Sequence, residues 1–555
     1  MTTREIRAPA AHAADNPVQV RGYTDSTNRQ WVEVTYKGKV ALLEYAQFAE
    51  RAGVWSALSN KGCIFVRKAD KASLIEQVEE LEHFPPRVIF SRPGWLGGQF
   101  VNASGRVFKP AGEQAGAIGF TPDPTKCSRK GALKYWRSQV AMPLVGHPIP
   151  CFFIMVGFAA PMLELSGRSE NIGYELAGEG GKGKSTCQRL MASLVGPAME
   201  KDRGYITTFH MTPAALEKSM RWHSDMPFII DEANLFGSGE SGSADRRKMQ
   251  DFAFQMASGV TKGRFDNPEQ DGFRFVFVTS ANNPFNEQLG ESHRDVANAA
   301  TDRLPSIVVP PGDPGVFGDL PAGYSSYREF TLALEGAMAQ QYGSAMPKLL
   351  TKLVNARHRD EEKLKANIRR RIDKFKTEIG INENNGSDVR VAEAFGLVYA
   401  AGEFAKHHGI LPEAWDCLEA AKHCYANFRS SVPIRQSLPE RLLAIAKRPQ
   451  TLMIDPQDLP QLSDAQVAEA GAFIREVKGE TLLLMTTPLG QMMFPDWDAL
   501  KGTPDFERLN RANDNRRGRG FHCRIRSNKR ADWFYCFALP PEAVEQLSAR
   551  ANRVR

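Results

Sequence analysis

None of the eight cysteines stands in a C-x-x-C pair. Cys63, Cys127, Cys151, Cys187, Cys417, Cys424, Cys523 and Cys536 are scattered along 555 residues, which argues against a zinc site or a disulfide framework and fits a reducing cytoplasm. Long apolar runs are equally scarce. The most apolar stretch, "CFFIMVGFAAPML" from Cys151 to Leu163, is 13 residues long, too short to span a bilayer, so it reads as a buried helix and no membrane partner is expected. The opening "MTTREIRAPAAHAADNP" has no apolar core; it is not a secretory signal and reads as a disordered lead-in over residues 1–28. There is no internal repeat and no long biased tract. A net charge of +7 is modest for this length and permits a nucleic-acid partner without requiring one.

What is present is the composition of a folded chain, 42% hydrophobic and 24% charged, too long for one compact core. Residues 29–130 carry strand-like and mixed patterns, including two apolar runs joined at Ala103-Ser104-Gly105, and predict a small α+β domain. Residues 131–335 alternate apolar runs with helical periods, as in an α/β core. Residues 336–430 are almost wholly helical in pattern, and 431–555 pass from short helices to a late strand pair with a basic turn at Ser527 to Arg530.

The α/β region contains "YELAGEGGKGKSTCQRL", residues 174–190, in which Gly178, Gly183, Lys184 and Ser185 satisfy the G-x-x-x-x-G-K-[ST] pattern of a phosphate-binding loop. Nucleotide phosphates bring several negative charges, and backbone N–H groups at a helix N-terminus hold them well. Residues without a β-carbon let the chain wrap closely and take positive φ, which assigns Gly178, Gly180, Gly181 and Gly183. Glu179, Lys182 and Thr186 complete the expected ATP-binding set. Lys184 would reach the β and γ phosphates, and Ser185 would ligate Mg2+.

A nucleotide loop serves many enzymes, so the next acidic strand decides. "MPFIIDEANLF" ends in Asp231 and Glu232; the first would orient magnesium and the second polarise the attacking water, which marks a hydrolase. A third strand, "FRFVFVTSANNPF", ends in a polar cluster. In an ATPase whose nucleotide strand lies beside its acidic strand, a side-chain amide here would sit between water and γ-phosphate. Asn282 is the candidate, with Ser280 and Asn283 as rivals. Arg303 lies just before another β-branched run and is the candidate for an arginine acting on a neighbouring subunit's nucleotide, with Arg294 as the alternative and a surface salt bridge as the plain reading.

These four elements in this order resemble the AAA+ class of P-loop ATPases and, within it, the superfamily 3 helicases. More narrowly, the chain resembles a bacterial and phage helicase-like family catalogued as domain of unknown function 927. The resemblance rests on "WRSQVAMPLVGHPIPCFFIMVGFAAPML" (136–163), "GEGGKGKSTCQRLMASLVG" (178–196), "MTPAALEKSM" (211–220), "FIIDEANLF" (228–236), "ASGVTKGRF" (257–265) and "VRVAEAFGLVYAAGEFAKHHGI" (389–410), and spans roughly residues 85 to 430. It implies an ATPase of phages or other mobile elements that unwinds or translocates single-stranded or forked DNA in replication, as a hexameric ring. Gly181-Lys182 departs from the small serines that many members carry there. An AAA+ ATPase remodelling a protein partner is the alternative.

Three segments are candidates for nucleic acid. "SGVTKGRFDNPEQDGFRFVF" offers a hairpin with Lys262 and Arg264 on its first arm, though its turn is acidic and those residues could instead face a neighbour's ATP. The helical run 352–376 is rich in Lys and Arg and reads either as a solvated face or as a DNA contact. In "RRGRGFHCRIRSNKRADWFYCF", Arg524, Arg526, Lys529 and Arg530 surround aromatic residues, a pattern similar to the wing of a winged-helix domain.

Overall fold

The structure is a computed structural model that describes residues 17–50, 53–198, 204–208, 212–231, 251–259, 272–289, 294–381, 386–431, 438–454, 463–477, 479–494, 504–511, 526–527, 530–531 and 534–539. Its contacts divide the chain into two compact units, residues 1–288 with 300–431, and residues 289–299 with 432–555.

The first unit opens with an antiparallel meander of Val18–Thr24, Gln30–Tyr36 and Lys39–Glu44. Within the disordered lead-in expected over residues 1–28, residues 18–24 are therefore strand, and residues 1–16 lie outside the described residues. Val18 pairs with Tyr36 and is buried with Val32, Val34 and Leu43 against the helices Val54–Asn60 and Lys68–Glu79, so the short apolar alternation there has a partner face that local sequence does not reveal. Small strands follow between Ile89 and Ile118. The turn expected at 103–105 is present: Gln99–Val101 and Val107–Phe108 pair antiparallel, Gly105 has φ +79°, and the Asn102 side chain accepts from the Arg106 N–H at 2.9 Å.

The apolar run at 151–163 forms the end of helix Pro148–Ala159 and the turns after it, and every residue of 149–159 is buried. A helix apolar on all sides must be wrapped by protein. It packs on helices Lys184–Ala192, Gly386–His407 and Cys417–Ser431 and on strand Met226–Asp231. Phe152 stacks on Phe395 with centroids 5.2 Å apart. The lead-in before it is fixed to the end of helix Lys184–Ala192 by Trp136, whose indole N–H donates to Ser193 Oγ at 3.0 Å with both residues fully buried.

Five parallel strands form the central sheet in the order Thr207–Thr208, Met226–Asp231, Phe275–Ala281, Ile172–Ala177, Ser306–Val308. The expectation that the nucleotide strand lies beside the acidic strand is corrected. Phe275–Ala281 runs between them, paired with Met226–Asp231 on one edge and Ile172–Ala177 on the other, and all three strands are buried throughout as in a covered parallel sheet. The region after 336 is helical as expected, with Ala345–Arg359, Glu361–Glu378, Gly386–His407 and Cys417–Ser431. Among the described residues no helix is long and apolar enough to cross a membrane.

The second unit has a four-stranded sheet ordered Leu452–Ile454, Ala472–Val477, Glu480–Thr486, Phe534–Ala538; its first pair is parallel and the others antiparallel. Leu442, Ile445, Leu483, Met485 and Phe537 form its core. The basic turn is a two-residue ladder, Arg526 opposite Ala531 and Ser527 opposite Arg530.

Candidate nucleotide site

Strand Ile172–Ala177 and helix Lys184–Ala192 bracket the glycine-rich loop as the sequence pattern requires. Gly178, Gly181 and Gly183 have φ of +146°, +75° and +92°. At Gly183 a β-carbon would also meet Val316 Cγ2 at 2.4 Å, so no other residue fits without moving the segment above it. Gly180 is a correction: its φ is not in the left-handed region, and no atom lies within 4 Å of where its β-carbon would be. Its absent side chain leaves open space and is not demanded by the backbone.

A cleft of about 600 Å3 opens over this loop, within the size range of ligand sites. Gly180, Gly181, Lys182, Gly183, Lys184, Ser185 and Thr186 line it from below, and Asp231, Ser280 and Asn282 line it from the ends of two neighbouring strands. Gly178 and Glu179 lie outside that lining; their carbonyls accept from the Lys184 ammonium, the Glu179 bond measuring 2.9 Å. Lys184 also reaches Asn282 Oδ1 at 3.5 Å. Burial lowers the Lys184 pKa, and the Asp231 carboxylate opposes the shift. Ser280 Oγ donates to Asp231 Oδ1 at 2.9 Å. Of the three polar candidates on that strand end, Asn282 and Ser280 face the cleft and Asn283 does not. Ser185 and Asp231 offer only oxygen donors, the chemistry that suits Mg2+.

The upper wall was missed by sequence reasoning. Asp313, Pro314, Phe317, Tyr327, Arg328 and Leu332 line the cleft from a segment more than a hundred residues beyond the loop. This segment is anchored on both sides: Val316 N–H donates to the Lys182 carbonyl at 3.0 Å, and Gly318 N–H donates to His147 Nδ1 at 3.0 Å. Phe317 lies parallel to Tyr327, centroids 6.4 Å apart, and Lys182 Nζ lies 3.8 Å from Asp313. The usable signal in the sequence was the glycine and proline cluster "PPGDPGVFGDLPAG", residues 310–323, which reads as loop without naming what it covers.

Arg303 lies away from this cleft. Its guanidinium donates to Glu170 at 3.0 Å and sits over the Phe254 ring at 5.1 Å. Glu170 precedes strand Ile172–Ala177, so Arg303 stands at the end of the sheet opposite the loop, about 20 Å away along six strand residues. Glu232, Lys262, Arg264, Arg524 and Lys529 lie outside the described residues, as do the side chains of Arg294, Arg526 and Arg530.

Residues 20–268 match the family model described as domain of unknown function DUF927. That match covers just under half of the chain, and it begins and ends earlier than the residues on which the resemblance rested. No curated protein matches the sequence. The fold is similar to the solved structure of SCCmec type IV Cch, an active helicase: the TM-score is 0.60 at 15% identity, over 96% of this chain and 95% of that one. The apo structure of the NrS-1 C-terminal region aligns over 70% of this chain and 87% of that one at 10% identity, with a TM-score of 0.26, too low to support an inference.

Proposed function

We propose that this chain is a Mg2+-dependent ATPase of the AAA+, superfamily 3 helicase type, acting on DNA for a phage or other mobile element and working as a ring. The observation that carries this reading is the convergence of the glycine loop, Lys184, Asn282 and the Ser280–Asp231 pair on one cleft. Loop amides and Lys184 would hold the phosphates, while Phe317, Tyr327 and Leu332 supply flat and apolar surface for the base. Ser185 and Asp231 would hold Mg2+, which when bound neutralises charge on the terminal phosphates. Asn282 would orient the γ-phosphate, and Glu232, one residue beyond Asp231, is assigned as the base for water. Arg303 is assigned in trans, where it would have to exchange Glu170 for a neighbour's nucleotide. The C-terminal unit, with its basic turn, is assigned a winged-helix-like DNA contact, and Lys262 and Arg264 a place near DNA or a neighbour's ATP.

The test is the ATPase rate with and without single-stranded DNA at low salt, for the wild type, Lys184→Ala and Lys262→Ala. Expected are Mg2+-dependent hydrolysis lowered by about 10² to 10³ in Lys184→Ala, stimulation by DNA, and loss of that stimulation in Lys262→Ala. Failure to take up Mg-ATP at millimolar concentration would end the motor reading; hydrolysis indifferent to DNA would end the helicase reading.

A further inference from the structure

Helix Glu361–Glu378 segregates its charges by face. Glu361 pairs with Arg357 and Lys365, and Glu362 pairs with Lys365. Lys363, Asn367, Arg370 and Arg371 stand at i, i+4, i+7 and i+8 and share another face. That face borders a groove of about 400 Å3 that Arg359, His407 and His408 also line. Among the described residues no carboxylate lies within ion-pair distance of Arg359, Lys363, Arg370 or Arg371. Arg370 and Arg371 are held instead by the side-chain and main-chain oxygens of Asn367, at 3.2 and 3.4 Å. The one acid in the lining, Asp360, is engaged in accepting the Lys363 N–H at 2.9 Å as the helix cap. Leu364 and Phe404 form an apolar floor, and the His408 ring meets Phe404 edge-to-face with centroids 4.4 Å apart. His408 is held at a pKa of about 4 by burial, with His407, Lys352, Lys348 and Arg359 adding to the shift, so the local potential is positive and the ring stays neutral near pH 7.

We propose that this groove binds the sugar-phosphate backbone of a single nucleic-acid strand, with Arg359, Lys363, Arg370 and Arg371 on the phosphates and the His408 ring, backed by buried Phe404, against a base. From Lys363 to Arg371 the helix rises about 12 Å, the length of three to four phosphates in a stacked strand at about 3.4 Å each. Positive charge tracking a backbone beside an aromatic surface is the arrangement of sequence-tolerant single-strand sites. The proposal rests on the nucleic-acid reading above but not on the nucleotide cleft.

The test uses the full chain without nucleotide and fluorescently labelled oligo-dT, read by anisotropy across a salt series. Arg370→Ala/Arg371→Ala is expected to weaken binding at least tenfold and to lower the slope of log K against log salt by about 1.4, for two phosphate contacts at about 0.7 each. Lys365→Ala, on the acidic face, is expected to leave both unchanged. Circular dichroism and basal ATPase rate, both unchanged, would show that the double variant is folded. Unchanged affinity and slope in the double variant would overturn the proposal, as would competition by poly-glutamate as effective as unlabelled oligo-dT. A wild type that binds oligo-dT through these residues yet hydrolyses no ATP would sustain the groove and refute the motor, so the two failures are distinguishable.

Discussion

Ser280 donates to the carboxylate of Asp231 at 2.9 Å, joining the ends of two adjacent parallel strands at the edge of the cleft. The bond points Asp231 while both groups are buried. Ser280→Ala should therefore raise the Mg2+ concentration needed for half-maximal ATPase rate several-fold, with a stability loss of only about 1 kcal/mol. A magnesium titration beside a denaturant melt measures both; an unchanged magnesium requirement would deny the positioning role.

Lys184 is held by two loop carbonyls and by Asn282. Lys184→Ala should lower turnover by about 10² to 10³, while the melting temperature holds or rises, since burial disfavours the ammonium. Steady-state kinetics and thermal melts separate these effects.

Two loop glycines differ in what they tolerate. Gly183→Ala should cost about 1–3 kcal/mol and abolish ATP binding, because φ is +92° and Val316 blocks the β-carbon. Gly180→Ala, with open space around it, should fold as the wild type does. Isothermal titration with Mg-ATP and denaturant midpoints would show the contrast.

His223 is buried, with its Nδ1 2.7 Å from the Ser219 carbonyl and its ring stacked on Phe228 at 4.5 Å. Burial, the largest cause, lowers its pKa from 6.5 to about 4. Between those values the unfolded chain binds more protons than the folded one. The stability associated with the neutral ring is thus complete above pH 6.5 and lost as pH falls toward 4. From pH 7.5 to pH 5 the loss attributable to this ring should reach about 2 kcal/mol. His223→Phe should flatten that dependence in denaturant melts at the two pH values.

Arg303 and Lys184 stand at opposite ends of the sheet in one chain. If Arg303 completes a neighbour's site, Arg303→Ala and Lys184→Ala should each be inactive alone and recover part of the ATPase activity when mixed. Absence of recovery, with Arg303→Ala active by itself, would leave Arg303 with a structural role, held at Glu170 and Phe254.

The local chemistry of the site was readable from sequence because its parts are contiguous. Gly178 to Ser185 carries its own geometry, and Met226–Asp231 announces a buried strand ending in acid. The strand order was not readable: nothing within "FRFVFVTSANN" states that it runs between the other two. The upper wall of the cleft was also hidden, since Phe317, Tyr327 and Leu332 look like ordinary core residues until the fold returns them to the loop. The first strand was lost for a similar reason, "VQVRGYT" being too weakly apolar to stand out without the partner strand that buries it.

The amino-acid order by itself determined the glycine-rich turn between strand and helix, the charge of its lysine and the buried character of the helix at 148–159, because each depends on residues within a few turns of one another. Only the tertiary structure decided that Asn282 and Ser280 stand between the loop and Asp231, that the segment at 313–332 forms the opposite wall, and that cations of helix Glu361–Glu378 border a groove in which, among the described residues, the one lining acid, Asp360, serves as the helix cap. Those relations join positions tens to more than a hundred residues apart, and packing, not local conformational preference, fixes which of them meet.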